Sequence, residues 1–383
     1  DVFAPGAAAG AIEAIPSPVR LLQTDERTCT ANGASAGGPS GRAPGVARMR
    51  NPAGGVALVL HEFWEHWPKA LALEGDSLRI EWLPELPGPD FGRGLPHYLM
   101  VPFVEGKYRL KWGMSFTETV TLDFGGTLAP EELVAEARHP LVAVIPGEWY
   151  ARTRALGPLA APFGRQFKLW DDYVEKGFEA HMARKETFRE YGFLNHGDWY
   201  GERGRNWGNN EYDFAHGLML QFARTGRTKY FRLARAAARH QANVDIVHAY
   251  PDPFFVGANH QHSIGHTGTW TQTVQRATWS HRYDAHTDAS NGHTWAAGML
   301  DAWHLSGDPR IMDAALALGE HIAWAMSPAF DHLGSHERSA GWSLVAIMAL
   351  YRATYDPLYL AAAARIAEVA LREHKPDDGG AWP

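Results

Sequence analysis

The sequence predicts a multidomain protein of α and β structure: an antiparallel β domain over residues 1–150, then a stacked or toroidal array of helical hairpins over residues 151–383. Three observations carry that prediction. Before about residue 150, apolar residues alternate and β-branched residues are common. After about residue 165 the apolar spacing becomes helical. Three short turns in the second part also repeat one another, "RTGRTKYF", "LSGDPRIM" and "ATYDPLYL", as expected of stacked αα-hairpins.

In the first part, "GGVALVLHEFW" and "DSLRIEWLPE" read as strands joined across "PKALALEGD". "KYRLKWGMSFTETVTLDFGG" reads as a further strand or hairpin, and Ala31–Gly45 as a small-residue loop. In the second part, helices are predicted over roughly 168–190, 210–224, 228–243, 292–305, 309–325, 339–353 and 357–374. Thr225, Ser306 and Thr354 hold equivalent places in the three turns. The step from Thr225 to Ser306 exceeds the next one by about thirty residues, and long loops in compact domains are usually functional or disordered. The inserted stretch Ala249–Gly292 is too aromatic for a disordered linker. It is therefore predicted to be ordered and to form one wall of a cleft.

Composition narrows the function classes. The chain has 383 residues, 45% hydrophobic and 21% charged, an ordinary soluble composition. A net charge of -7 argues against a general nucleic-acid binder. The longest apolar runs, such as Leu141–Pro146, fall far short of a membrane span. A lone cysteine, Cys29, excludes an internal disulfide and a cysteine-built zinc site. The 15 Trp fit sugar-stacking surfaces and a large aromatic core alike. The chain opens on "DVFAPG" and stops at "DDGGAWP"; both ends look cut, so targeting sequences are expected to be missing.

The polar residues collect before the leading helices of the hairpins, which begin at "GNNEYDFAHG", "SNGHTWAAG" and "ERSAGWSLV". Their N-termini are expected at one end of the array, and the stretch "NHGDWYGERGRNWGNNEYDFAHG" is expected to line a cleft there. Helix N-termini favour an anionic ligand. Arg203, Arg205, Arg276, Arg282 and Arg338 belong to the same loops and suit a carboxylate or sulfate. Trp199, Trp207, Trp270 and Trp279 either stack on sugar rings or pack beneath loops. In "HQHSIGH", His260, His262 and His266 have a spacing that suits a divalent metal or acid/base work. His240 and His248 read as helix-end caps.

Four segments carry a resemblance: "FWEHWPKALALEGDSLRIEWLP", "GDWYGERGRNWGNNEYDFAHGLMLQFARTG", "GHTWAAGMLDAWHLSGDPR" and "RSAGWSLVAIMALYRATYDPLYL". From about residue 55 to the end, the chain resembles the exo-rhamnogalacturonan lyase family, also called the PcRGLX/YetA-like group. That resemblance implies a RIFT-type β domain followed by an (α/α) toroid that carries the active site. It also implies a lyase that splits uronic-acid-containing chains by β-elimination, as related toroidal lyases do on ulvan. The β domain matches only in part. Fewer helices are predicted than a closed toroid of six hairpins needs, so the toroid is expected to be incomplete, truncated at its C-terminus.

β-Elimination needs a neutralised carboxylate, a base and an acid. The loops supply such groups, and His196, Tyr212, His260, His262, Tyr283 and His293 are the candidate catalytic residues. A histidine of "HQHSIGH" or His196 is favoured as base and Tyr212, drawn in the first turn of a leading helix, as acid. Asn210 with Arg276 is favoured on the carboxylate. Trp199, Arg203, Trp207, Asn209, Asn210, Arg276 and Arg282 are the candidate substrate-binding residues. No cofactor is expected; a divalent metal near His260, His262 and His266 is the alternative. A glycoside hydrolase built on Asp198, Glu202, Glu211, Asp213, Asp284, Asp288 or Glu337 is the rival enzyme class, and a non-catalytic carbohydrate-binding protein is the third. The expected partner is an acidic polysaccharide or oligosaccharide, with no nucleic acid or membrane, in an extracellular or periplasmic location.

Overall fold

The computed structural model describes residues 11–14, 19–51, 54–75, 77–88, 91, 103–104, 107–108, 110, 113–125, 127–160, 167–202, 206–260, 266, 291–325, 337–377 and 379–380. In chain order the first strands are β1 (Ala11–Ala14), β2 (Val19–Asp25), β3 (Thr28–Ala31), β4 (Ala34–Ala36), β5 (Val46–Asn51), β6 (Gly54–Leu60), β7 (Lys69–Glu74) and β8 (Ser77–Trp82). They are followed by β9 (Phe103–Val104), β10 (Lys107–Tyr108), β11 (Val120–Asp123), β12 (Tyr200–Glu202) and β13 (Asn206–Trp207). The helices are α1 (Pro130–Arg138), α2 (Gly147–Thr153), α3 (Lys168–Phe188), α4 (Phe214–Thr225), α5 (Thr228–His240), α6 (Ala297–Ser306), α7 (Pro309–Ala325), α8 (Glu337–Thr354) and α9 (Pro357–Glu373). Two compact units result. One holds Asp1–Gly94, Thr117–Leu141 and Arg189–His196; the other holds Leu95–Phe116, Val142–Phe188 and Gly197–Pro383.

The first unit is built on two sheets, ordered β1-β5-β6-β11 and β4-β3-β2-β7-β8. Their pairings are antiparallel except that of β1 with β5. Leu21, Leu58, Leu60, Phe63, Leu71 and Leu73 share one buried core. Val46, Ala57 and Val59, on the opposite face of β5 and β6, pack on Leu133 of α1. Burial on both faces explains the unbroken apolar run of "GGVALVL". The segment "PKALALEGD", expected as a connector, is instead strand β7, hydrogen-bonded to β2 and β8 on its two edges. Ala31–Gly45 contains the short strand β4 rather than being all loop. "KYRLKWGMSFTETVTLDFGG" divides into β10, paired with β9, and β11, paired with β6.

The second unit bears an α/α array. The pairs α4/α5, α6/α7 and α8/α9 form hairpins, and the leading helices α4, α6 and α8 pack in succession. Met219, Phe222, Phe231, Met299, Leu318 and Leu350 are part of their common core. The repeated turns have a repeated cause. Thr225, Ser306 and Thr354 each donate a hydroxyl to the carbonyl four residues back, at 2.7, 2.5 and 2.9 Å. Each also accepts the backbone N–H two residues on, at 3.3, 3.3 and 3.2 Å. The next residue is left-handed in all three turns, Gly226 at φ 67°, Gly307 at 72° and Tyr355 at 56°. Its N–H closes the helix C-terminus. Tyr355 thus holds a backbone conformation that glycine takes more readily.

Helix starts shift where polar residues intervene. The helix expected from 210 begins at Phe214, and the one expected from 292 begins at Ala297 after a 3₁₀ turn over Asn291–His293. α5 passes into a π turn over Gln241–Asp245. Among the described residues, no helix is long and apolar enough to cross a membrane.

Candidate functional site

The N-termini of α4, α6 and α8 meet. The backbone N–H of Gly298, in the first turn of α6, donates to both oxygens of Asp213, the N-cap of α4, at 3.1 Å. Arg338, in the first turn of α8, reaches Glu211 at 2.5 Å. The stretch before α4 is therefore the hub of the unit, and its local geometry explains why it forms neither a long strand nor a helix. After the β12–β13 hairpin, Asn209, Asn210, Tyr212 and Asp213 all take positive φ, at 53°, 50°, 62° and 60°. Such backbone is tolerated by Asn and Asp but unusual for a bulky aromatic residue, and it persists only where its surroundings enforce it. Asp198 does so here: its two carboxylate oxygens accept the N–H groups of Asn209 at 2.8 Å and Asn210 at 2.9 Å.

Asp198 belongs to a buried polar layer. His240 Nε2 lies 3.8 Å and His266 Nε2 3.7 Å from Asp198 Oδ2, and His240 Nε2 lies 3.4 Å from Asp245 Oδ1. Asp198, His240 and His266 each offer a ligand-type atom, and the three atoms lie within 4.8 Å of one another. Burial pushes the Asp198 carboxyl up to about 6, with His240 opposing the shift and Asp245 adding to it. Trp207 stacks on His266 with ring centres 5.0 Å apart. His260, also buried, accepts the side-chain N–H groups of Asn209 and Asn259 on its carbonyl.

A second, more open layer lies on the same turn. Tyr212 is 66% exposed. The Arg338 guanidinium sits 5.7 Å from its ring centre, and Trp342, one helical turn beyond Arg338, lies 6.0 Å from the same ring. Arg338 also donates to the Gly292 carbonyl at 2.7 Å, and the Glu211 carboxylate it holds lies 3.9 Å from His293 Nδ1. Asn259 ties the layers together by donating to the carbonyls of both His260 and His293, at 2.8 and 2.6 Å.

Beside this layer, His216 of α4 bonds Asp301 of α6 through Nδ1 at 2.6 Å. Burial lowers the affinity of His216 for its proton, but the bond to Asp301 and the charges of Asp301 and Asp213 outweigh it, so its pKa is raised. Burial also pushes the Asp213 carboxyl up to about 6. A histidine oriented by a carboxylate is equipped for proton transfer.

The structure separates the expected site residues. Tyr212 and His293 fall in the open layer. Tyr212 precedes the N-cap of α4 instead of lying in the helix's first turn. His260, Asn209 and Asn210 are buried framework, Asn210 donating to the Ala237 carbonyl at 3.1 Å. Trp207 is fully buried, so its ring packs against Tyr200 and His266 and presents no face for a sugar. Trp199 is half-buried, packed over Gly208, where a Cβ would meet the indole at 2.1 Å. His196 lies in the β unit, 3.8 Å from Glu62 and with its ring 4.9 Å from that of His66. His262, Tyr283, Arg203, Arg276 and Arg282 lie outside the described residues, as do Asp284, Asp288 and most of the stretch expected to wall a cleft. Trp342, His216 and Asp301 are not among the residues expected from the sequence, and His240, expected as a helix-end cap, faces Asp198 and Asp245 instead. Only the Arg338–Trp342 spacing of one helical turn left a local signal; the other partners meet across the fold.

Residues 133–283 match the family model described as the PcRGLX-like protein C-terminal alpha/alpha toroid domain. That domain points to a family of carbohydrate-active enzymes. The chain is also similar to the uncharacterized protein YetA of Bacillus subtilis (strain 168), 25% identical over 257 residues, which is 59% of this chain and 29% of that protein. This chain thus corresponds to less than a third of that relative's length. The α/α hairpins agree with that domain description, and both matches fall on the PcRGLX/YetA-like group, which this chain resembles.

Proposed function

We propose that the chain carries the catalytic region of a polysaccharide lyase that cleaves a uronic-acid-containing polysaccharide, rhamnogalacturonan-like or ulvan-like, by β-elimination. The reaction removes the proton on the carbon beside the uronate carboxylate and expels the glycosidic oxygen from the next carbon, leaving a C=C bond. The developing charge requires a cation on the carboxylate, and the two proton movements require a base and an acid. The observation that carries the reading is the open layer, in which Tyr212, Arg338, Glu211 and His293 gather where three helix N-termini meet. In this reading Arg338 binds the uronate carboxylate, His293 takes the carbon-bound proton, and the Tyr212 hydroxyl protonates the departing oxygen. Trp342 supplies an aromatic wall beside Tyr212. Such a substrate is an extracellular polymer, which favours an extracellular or periplasmic site of action.

The hydrolase reading loses support from two of its carboxylates. Asp198 and Asp213 are buried and accept backbone N–H groups, which suits framework better than attack on a sugar. The deciding experiment incubates the protein with a panel of rhamnogalacturonan, ulvan and other uronate polysaccharides. A lyase product absorbs near the ultraviolet edge through its new C=C bond. New reducing ends without that absorbance would establish the hydrolase instead, and binding with no product would establish a carbohydrate-binding protein.

A further inference from the structure

We infer that the buried layer is a binding site for one divalent transition metal of the zinc class, with Asp198 Oδ2, His240 Nε2 and His266 Nε2 as protein ligands. This inference does not depend on the lyase reading. The donor set is the first reason. Two imidazole nitrogens and a carboxylate oxygen are among the commonest zinc ligands, whereas magnesium and calcium favour all-oxygen shells.

Spacing is the second reason. In a tetrahedral shell with bonds of about 2.0–2.1 Å, neighbouring ligand atoms stand roughly 3.4 Å apart. The Asp198 oxygen lies 3.8 Å from the His240 nitrogen and 3.7 Å from the His266 nitrogen, and the three atoms fall within 4.8 Å of one another. A direct hydrogen bond would close such a pair to about 2.7–3.2 Å. These groups face one another at distances too long for that bond and suited to a small ion between them.

Charge and support supply the third reason. Asp198 and Asp245 are both buried, at 2% and 0% exposure. Among the described residues, their ion-pair partners are histidines, with no lysine or arginine. A dication balances two carboxylates. Asp245 makes no side-chain hydrogen bond among the described residues, and its Oδ1 lies 3.4 Å from the same His240 nitrogen. Its carboxylate adds to the negative charge that a cation at the cluster would balance.

Neighbours outside the cluster hold these side chains in place. The N–H groups of Asn209 and Asn210 fix the Asp198 carboxylate. Trp207 stacks on His266. Gly197 lets the chain before Asp198 press onto α5, where a Cβ would come within 2.8 Å of His240 Cβ. His240 itself stands at the junction of α5 with its π turn, a distortion that often accompanies functional sites. The ion would join three distant stretches of chain beneath the turn that presents Glu211 and Tyr212.

The test uses the 383-residue chain. Elemental analysis of protein purified without chelator, and of chelator-stripped protein reloaded with zinc, should each find about one zinc per chain. Reloading should raise the melting temperature, and cobalt(II) in place of zinc should give the intense visible bands of a four-coordinate ion. His266→Ala and Asp198→Asn should weaken zinc binding by at least about 100-fold. Should either variant not fold, the cobalt spectrum and zinc stoichiometry of the unaltered protein still decide. Folded protein that holds no zinc after reloading, cobalt bands of a six-coordinate aqueous-like ion, or variants that bind zinc as tightly as the parent would each overturn the assignment.

Discussion

The two polar layers draw on the same short stretch of chain, yet they are built to opposite ends. Asp198 and Glu211 are both carboxylates beside histidines. Asp198 is buried, bonds two backbone N–H groups and holds a left-handed turn in place. Glu211 instead pairs with Arg338, whose side chain is 30% exposed, next to the exposed ring of Tyr212. The lesson is that a cluster of Asp, His, Asn and Trp is not a site by composition. Burial and hydrogen-bond satisfaction separate the residues that build the turn from those that are presented to solvent, and the two layers should respond differently to substitution.

The largest effect is expected at the buried layer. Asp198→Ala leaves two buried N–H groups without their acceptor, at roughly 1–3 kcal/mol each, and releases a turn that holds unfavourable backbone angles. In metal-free protein the loss should be roughly 2–6 kcal/mol, measured by urea unfolding followed by circular dichroism, a large share of a typical domain's stability. An unchanged unfolding midpoint would erase the distinction between the layers.

The open layer should show the reverse pattern. Tyr212→Phe keeps the ring and removes the hydroxyl, and the residue is 66% exposed, so the melting temperature should barely move. Loss of a general acid should lower eliminase turnover by roughly 10²–10⁴-fold, read as the rate of ultraviolet absorbance increase on the substrate found in the panel. Near-full turnover in this variant would remove Tyr212 from the chemistry, and a large drop in melting temperature would move it into the framework.

Asp213, the N-cap of α4, should give the smallest effect and a distinctive pH dependence. Its carboxyl is pushed from 3.8 to about 6 in the folded protein by burial, so the folded state holds the proton more tightly than the unfolded chain. The stability from this group is fully present below about pH 4 and is lost as pH rises through about 6. Asp213→Asn stays neutral and keeps an oxygen for the N–H groups of His216 and Gly298. Urea unfolding at several pH values should therefore show the variant gaining on the parent between about pH 4 and 7, by up to about 3 kcal/mol. A constant difference across that range would mean that Asp213 titrates like a solvent-exposed carboxylate.

The sequence by itself determined what is local. Apolar residues at helical spacing predicted helices that correspond to α3 through α9, because one buried stripe recurs every three to four residues whatever the stripe packs against. The turns at Thr225, Ser306 and Thr354 were legible for the same reason: a hydroxyl, a left-handed residue and the next helix start lie within a few positions. Strand β7 was not legible, since central placement between β2 and β8, with Ala70, Leu71 and Leu73 all buried, removes the alternation that marks a half-buried strand. Within the candidate site, Tyr212 and His293 could be singled out from the starts of the leading helices, although Tyr212, expected inside the first turn of α4, stands before its N-cap. Only the tertiary structure decided that Trp207 is packed away, that His216 meets Asp301, and that Asp198 meets His240 and His266. Those encounters join residues far apart in the chain, and which side chains end up shielded from water is fixed by how the hairpins stack, a property that no window of neighbouring residues contains.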